Sequence, residues 1–288
     1  MPAQPSSSAQ QLIEALGARL RELRLDAGLS GRDLAGLAGW HSSKISKIEH
    51  GKQTPSADDL RAWCRHCGAD DQATDLVASL RAAEGMFVEW RRMERAGLRL
   101  AQESVVPLWE RTQRYRIYSS WIVPGPLQTR AYITAALSSI MVRRDLPDDI
   151  EAAVQVRVDK QRVVHEGDRR FACLLEESVL RTPLGGPDAM AGQLGHLLAV
   201  GSLPSVSLGI IPHGVDRFAC WPSESFIMFD DAEVAVELVS GHLTVTQPRE
   251  VAMYADTFSR LASLAVHGAA ARALITSAID ALDARRAI

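Results

Sequence analysis

At 288 residues, with 47% hydrophobic and 23% charged residues, the chain has the composition of an ordinary soluble globular protein and the length for two domains, each able to bury a core. No apolar run approaches the ~20 residues that a membrane-spanning helix needs, so no membrane association is expected. The net charge of −3 excludes nothing, because averaging hides local sign. Between Gly17 and Lys52 seven Lys/Arg stand against four acids, and a local basic face is what phosphate binding requires.

Taken in chain order, the first ten residues (MPAQPSSSAQ) are rich in Pro, Ser and Gln, without a basic start or an apolar stretch. They read as a disordered tail over 1–10 and not as an export signal, so a cytoplasmic location is expected. Residues 11–75 read as five short helices forming one domain. Leu12, Leu16, Leu20 and Leu23 recur at helical spacing, and Gly28 suits a left-handed cap after them. Ser30 can cap a second helix carrying Leu34, Ala35 and Ala38 inward, which Gly39 breaks. A third helix covers about 42–50 and stops at Gly51. Pro55-Ser56 opens a fourth through Leu60, Trp63, Cys64 and Cys67, closed by Gly68. Cys64 and Cys67 have the spacing of half a zinc site, but no second Cys/His pair follows at finger spacing. Inside an apolar helix they read as small hydrophobes, so neither metal nor cofactor is expected.

Residues 76–104 read as a helical linker bearing Arg91, Arg92, Arg95 and Arg99, either a solvated face or one that contacts phosphate or a partner. From 105 to 288 the pattern becomes mixed α/β. Strands are expected at 171–177, 205–211, 225–230 and 233–239, with helices near 148–166, 188–201, 248–266 and 268–284. Thr129 can cap a further helix through Tyr132 and Leu137, after a rigid Pro124-Gly125-Pro126 turn that is either architectural or part of a binding groove. Catalysis is not expected. Glu176 and Glu177, adjacent in a predicted strand, would point to opposite faces. The histidines lack metal-ligand spacing, and no phosphate loop or nucleophile elbow is present. The fold class expected is therefore mainly α with α/β: a five-helix N-terminal domain followed by a mixed α/β (α+β) domain.

The chemistry concentrates between Leu29 and Lys52. Two short helices joined through Ala38-Gly39-Trp40 give the near-perpendicular pairing that lays the second of them in the major groove. Ile45 and Ile48, three apart, must face inward, which puts Ser42, Ser43, Ser46 and Lys47 on the opposite face. That face carries short donors and acceptors and no bulky hydrophobe, as reading of base edges requires, and Lys47 can donate to guanine O6 and N7. His41, Lys44 and Lys52 flank it as candidate phosphate contacts, and Arg32 sits at the start of the second helix, where the dipole also favours an anion.

Leu29-Ser30, Leu34-Ala35, Gly39, and Ile45-Ser-Lys-Ile-Glu49-His-Gly51-Lys52 followed by Pro55-Ser56 resemble the Xre/Cro-repressor family of helix-turn-helix proteins. The resemblance implies a five-helix domain on double-stranded operator DNA, working as a homodimer on paired half-sites, with Arg24 of the first helix paired to Glu49. It departs at Gly31, where the family often carries a Gln that anchors the second helix to a phosphate; Arg32 is the candidate replacement.

A second group of residues comprises Trp109-Glu110, Tyr118, Val123-Pro-Gly-Pro-Leu-Gln-Thr129, Arg157-x-x-Lys-Gln161, Leu175-Glu-Glu-Ser-Val-Leu-Arg181 and Gly185-Gly186. These are similar to the domain of unknown function that follows the helix-turn-helix in actinobacterial regulators of the WhiJ type, also described as antitoxin-like. Pro126 stands where that pattern usually has Leu. The resemblance implies a small partner protein, encoded nearby, whose binding modulates the hold on DNA. The alternatives are an antitoxin-like module that sequesters such a partner and binds DNA for autoregulation, or a C-terminal domain that senses a metabolite.

Overall fold

The computed structural model describes residues 7–218 and 220–286, and the chain divides into two compact units, 1–88 and 89–288. Of the expected tail, 1–6 lie outside the described residues, whereas Ser7 to Gln10 already belong to the first helix.

The first unit is helical: α1 (Ser7–Asp26), α2 (Gly31–Ala38), α3 (Ser42–Glu49), α4 (Ala57–His66) and α5 (Ala73–Met86), with a 3₁₀ turn at Asp70–Gln72 before α5. Ile13, Leu16, Leu20 and Leu23 of α1 recur every three or four residues. They close a single core with Leu34, Ile45, Ile48, Leu60, Trp63 and Cys64. Each fully buried aliphatic side chain contributes about 1.5–3 kcal/mol. Ser30 and Ser56 cap α2 and α4 through reciprocal bonds with Asp33 and Asp59. The linker expected from 76 is not separate at its start. Leu76, Val77 and Leu80 of α5 lie in this same core, because a helix of that apolar stripe needs a face to cover. Arg91 and Arg92 of the expected basic face have side chains outside those described; Arg99 pairs with Glu103 at 2.7 Å.

After β1 (Phe87–Glu89), the second unit opens with three short helices: α6 (Trp90–Met93), α7 (Leu98–Ser104) and α8 (Val106–Arg111). Then follow β2 (Arg114–Ser119), α9 (Arg130–Arg144), α10 (Ile150–Lys160), β3 (Arg170–Glu176), α11 (Glu177–Arg181), α12 (Gly186–Val200) and β4 (Val206–Ile211). The remainder is β5 (Phe226–Phe229), β6 (Glu233–Glu237), β7 (Gly241–Val245), α13 (Pro248–Leu264), β8 (Val266–His267) and α14 (Gly268–Arg286). Within this unit the strands lie in the order β7-β6-β5-β2-β3-β4-β8. The central β2, β3 and β4 are parallel and the flanking strands antiparallel.

The pleat sends alternate residues into two cores. Tyr115, Ile117, Phe171, Cys173, Leu208 and Ile210 pack on one face with Trp109 of α8, α12 and α14. Tyr118, Leu174, Ile211, Phe226, Val234 and Val236 pack on the other with Val251, Phe258 and Leu261 of α13. Sequence reading misses β2, β7 and β8, and also β1, which falls within the expected helical linker. In β2 two arginines interrupt the apolar alternation, and Arg116 is satisfied by Asp231 and the Asp230 carbonyl. The paired carboxylates also need correction. The strand ends at Glu176 and Glu177 starts a helix, so they are not opposed across one strand. Glu176 accepts from the Tyr118 hydroxyl at 2.7 Å and pairs with Arg217, while Glu177 binds Arg181 and the His213 N–H.

The Pro124-Gly125-Pro126 turn is a 3₁₀ turn held by three glutamines. Gln161 Nε2 donates to the carbonyls of Gly125 and Gln128, both at 2.7 Å, and Gln128 Nε2 to that of Val123 at 2.7 Å. Gln193, fully buried, accepts from the Thr129 N–H at 2.7 Å and donates to the Leu127 carbonyl at 2.6 Å. Thr129 in turn caps α9. Replacing Gln193→Met keeps the volume but orphans two buried backbone groups, each costing about 1–3 kcal/mol. We expect a lower urea midpoint with an unchanged slope; a midpoint equal to that of the wild type would show that these bonds carry no stability.

Candidate nucleic-acid interface

The α2–α3 pair sets the site. Gly39 takes φ +68°, a left-handed turn open to glycine at little cost, and its N–H reaches back to the Ala35 and Gly36 carbonyls to end α2. Three residues later, at Ser42, α3 begins. Ile45 and Ile48 are 1% and 0% exposed, which fixes the rotation of α3 about its own axis. Ser42, Ser43, Ser46 and Lys47 all lie on the exposed side.

Three contacts fix the position of α3. Arg24 of α1 bonds Glu49 with both ends of its fork, Nε to Oε1 at 2.6 Å and Nη2 to Oε2 at 3.1 Å. Its remaining Nη1 donates to the Leu29 carbonyl at 2.7 Å, tying in the loop before α2. Glu49 stabilises the guanidinium charge by hydrogen bonding, against the opposing effect of burial, and raises its pKa. The second contact is steric. A Cβ at Gly17 of α1 would stand 2.4 Å from the Ile48 carbonyl oxygen and 2.9 Å from that of Glu49, so α1 and the end of α3 meet backbone to backbone. Sequence reading misses this role of Gly17; a glycine within an otherwise helical run is the available signal. The third contact joins α3 to α4. Lys44 Nζ bonds Asp59 Oδ1 at 2.6 Å and lies 4.4 Å from the centre of the Trp40 ring, which itself packs on Trp63.

The last contact revises the expected role of Lys44. It is committed to Asp59 and Trp40 inside the fold, so it is not a free cation aimed at phosphate. His41 is likewise used locally, as the N-cap of α3: its Nδ1 accepts the Ser43 N–H at 3.2 Å and lies 2.7 Å from Ser43 Oγ. An accepting Nδ1 leaves Nε2 as the donor of the ring. The Ser43 hydroxyl is therefore partly engaged, whereas Ser42, Ser46 and Lys47 have no side-chain partner among the described residues. Arg32 and Lys52 are also exposed and unpaired there. The backbone N–H groups of Lys52 and Gln53 both bond the Lys47 carbonyl, at 2.8 and 3.2 Å, closing the end of α3. Cys64 is fully buried in the core, and burial pushes the thiol of Cys67 up to about 11, away from the thiolate form that binds metal.

This arrangement of caps, turn and outward polar face defines a helix-turn-helix protein, and residues 15–77 match the model described as "Helix-turn-helix domain". Residues 102–277, the greater part of the chain, match "Domain of unknown function (DUF5753)", and the chain belongs to that family. No curated protein matches. Among solved structures, the chain is similar to TrmBL2, described as an archaeal chromatin protein with a novel mode of DNA binding. The identity is 13% and the TM-score 0.30, over 83% of this chain and 88% of that one. A likeness that distant carries no argument. Among the described residues no helix is long and apolar enough to cross a membrane.

Glu49→Ala would leave Arg24 charged and buried without its partner, at a cost of about 3–5 kcal/mol. We expect hydrogen exchange across α1 and α3 to accelerate; unchanged protection would remove the pair from the forces that hold α3. Asp59 gives a pH signature. Burial raises its pKa, but the bonds from Lys44 and the Ser56 N–H outweigh this and hold it below the ordinary value of 3.8. A carboxylate so depressed stabilises the fold above 3.8 and loses that contribution as pH falls through its folded-state value. Asp59→Asn should therefore flatten the stability-pH profile of the first unit below that point, and a wild-type profile in the variant would refute the assignment.

Proposed function

We propose that this protein is a sequence-specific transcription regulator that reads the major groove with the exposed face of α3. The observation that carries the reading is the pairing of two fully buried isoleucines with an opposite face of Ser42, Ser46 and unpaired Lys47. Phosphate contacts fall to Arg32, Lys52 and Nε2 of His41, all on exposed residues. Such contacts set register and carry no sequence information. The protein works as a homodimer on paired half-sites, as the resemblance to Xre/Cro repressors implies, in the cytoplasm and by binding alone, without a catalytic step.

In the same reading the second unit receives a signal, in the manner of the actinobacterial WhiJ-type regulators that its motifs resemble, from a small partner protein. The exposure of Phe218, Trp221 and Trp121 at 95%, 76% and 50% supports this, since aromatic side chains bare to solvent are the usual anchors of protein interfaces.

Selection of bound sequences from a random DNA pool should return a defined half-site. On that site, Lys47→Ala combined with Ser46→Ala should cost about 1–3 kcal/mol for each base-edge interaction removed, with little change on random DNA. Lys52→Ala should weaken both and reduce the salt slope by about 1. Equal affinity for selected and random DNA, before and after substitution, would refute the reading.

A further inference from the structure

Two histidines bracket α3, and the fold gives them opposite hydrogen-bonding characters. At the start of the helix, Nδ1 of His41 accepts the Ser43 N–H at 3.2 Å, so its outward nitrogen is a donor. His50, the C-cap of the same helix, uses its ring in the reverse sense. Its Nδ1 lies 2.7 Å from the Ser46 carbonyl oxygen. A carbonyl only accepts, so Nδ1 of His50 carries the hydrogen, and in the neutral ring Nε2 is left as an acceptor. The Ser46 carbonyl belongs to the last turn of α3, where helix geometry leaves acceptors open. It takes the His50 backbone N–H at 3.2 Å together with the ring, which holds the imidazole against that turn.

The position of the ring matters as much as its polarity. The backbone of His50, at φ −100° and ψ 14°, departs little from the helix, so the wheel of α3 extends to it. At about 100° per residue, His50 falls between Ser46 and Lys47, on the side opposite the buried Ile45 and Ile48. His50, Ser46 and Lys47 are all exposed, and Nε2 of His50 has no partner among the described residues. Lys47 can only donate, and a serine hydroxyl can donate or accept. Among the described residues of this face, His50 is therefore the side chain fixed as an acceptor. Phosphate oxygens also only accept, so they offer a neutral Nε2 nothing. The amino groups of adenine (N6) and cytosine (N4) do offer hydrogens, and both point into the major groove.

Resting on the reading of α3 as the recognition helix, we propose that His50 is a further specificity-determining residue. Its Nε2 accepts from the exocyclic amino group of one adenine or cytosine in each half-site. Lys47 suits the carbonyl and N7 acceptors of guanine, so the two side chains, neighbours on one face, demand opposite base edges. His41, with the outward nitrogen a donor, is left to phosphate.

Affinities of the full chain for the selected half-site, and for the same DNA with each base pair changed in turn by transition, test this. A transition keeps the purine and pyrimidine in place but exchanges amino for carbonyl in the major groove. At one position the wild type should prefer the amino base by about threefold to tenfold. His50→Ala should erase that preference there and nowhere else. His50→Lys, whose ammonium only donates, should reverse it in favour of the carbonyl base. A transition profile unaltered in both variants overturns the proposal. So does an equal weakening of selected and random DNA by His50→Ala, which would make the residue a phosphate contact. Failure of the recognition-helix reading looks different, because the wild-type chain then binds selected and random DNA alike, and it takes this proposal with it.

Discussion

The orientation of one eight-residue helix governs the functional half of this molecule. Two isoleucines of α3 reach full burial, but burial alone would allow the helix to slide or tilt. The bidentate Arg24–Glu49 bond and the glycine-to-carbonyl contact at Gly17 remove those freedoms at its C-terminal end, and Lys44 bound to Asp59 removes them nearer its start. A helix this short has little stability of its own. Its structure is supplied almost entirely by the elements it packs against, which leaves the exposed face free to carry polar groups suited to recognition.

The second unit solves a different problem by similar means. The Pro124-Gly125-Pro126 turn passes through the interior, where unpaired backbone groups are expensive. Gln128, Gln161 and Gln193 pair them from three different elements. Each glutamine amide has both a donor and an acceptor, so one side chain can satisfy a carbonyl and an N–H together, as Gln193 does. Charge is handled in the same manner. Recessed arginines meet carboxylates or carbonyls, as Arg144 meets Glu94 and Arg169 the backbone carbonyls of Thr112 and Glu110.

Much of the first unit was legible because its punctuation is local. Ser30 and Ser56 bond to residues three positions on, Gly39 turns a chain that had to turn there, and the Ile45–Ile48 spacing fixes which face of α3 is outside. The helical run of 76–86 was legible as a helix but not as part of that core, since periodicity shows that a face is apolar without showing what covers it. In the second unit, strands of continuous apolar character such as β4 were readable. β2 was not, because its arginines are balanced by Asp230 and Asp231, more than a hundred residues away in sequence.

The sequence by itself determined the helix-turn-helix, the polar composition of its outer face and the mixed α/β character of the longer second unit. These depend on spacings of a few residues, which a chain carries whether folded or not. Only the tertiary structure decided which cations remain free. Lys44 looks in sequence like Lys47 and Lys52, but it meets Asp59 and Trp40 across the fold. A side chain's availability depends on the atoms within a few ångströms of it, and those are set by packing between elements distant along the chain.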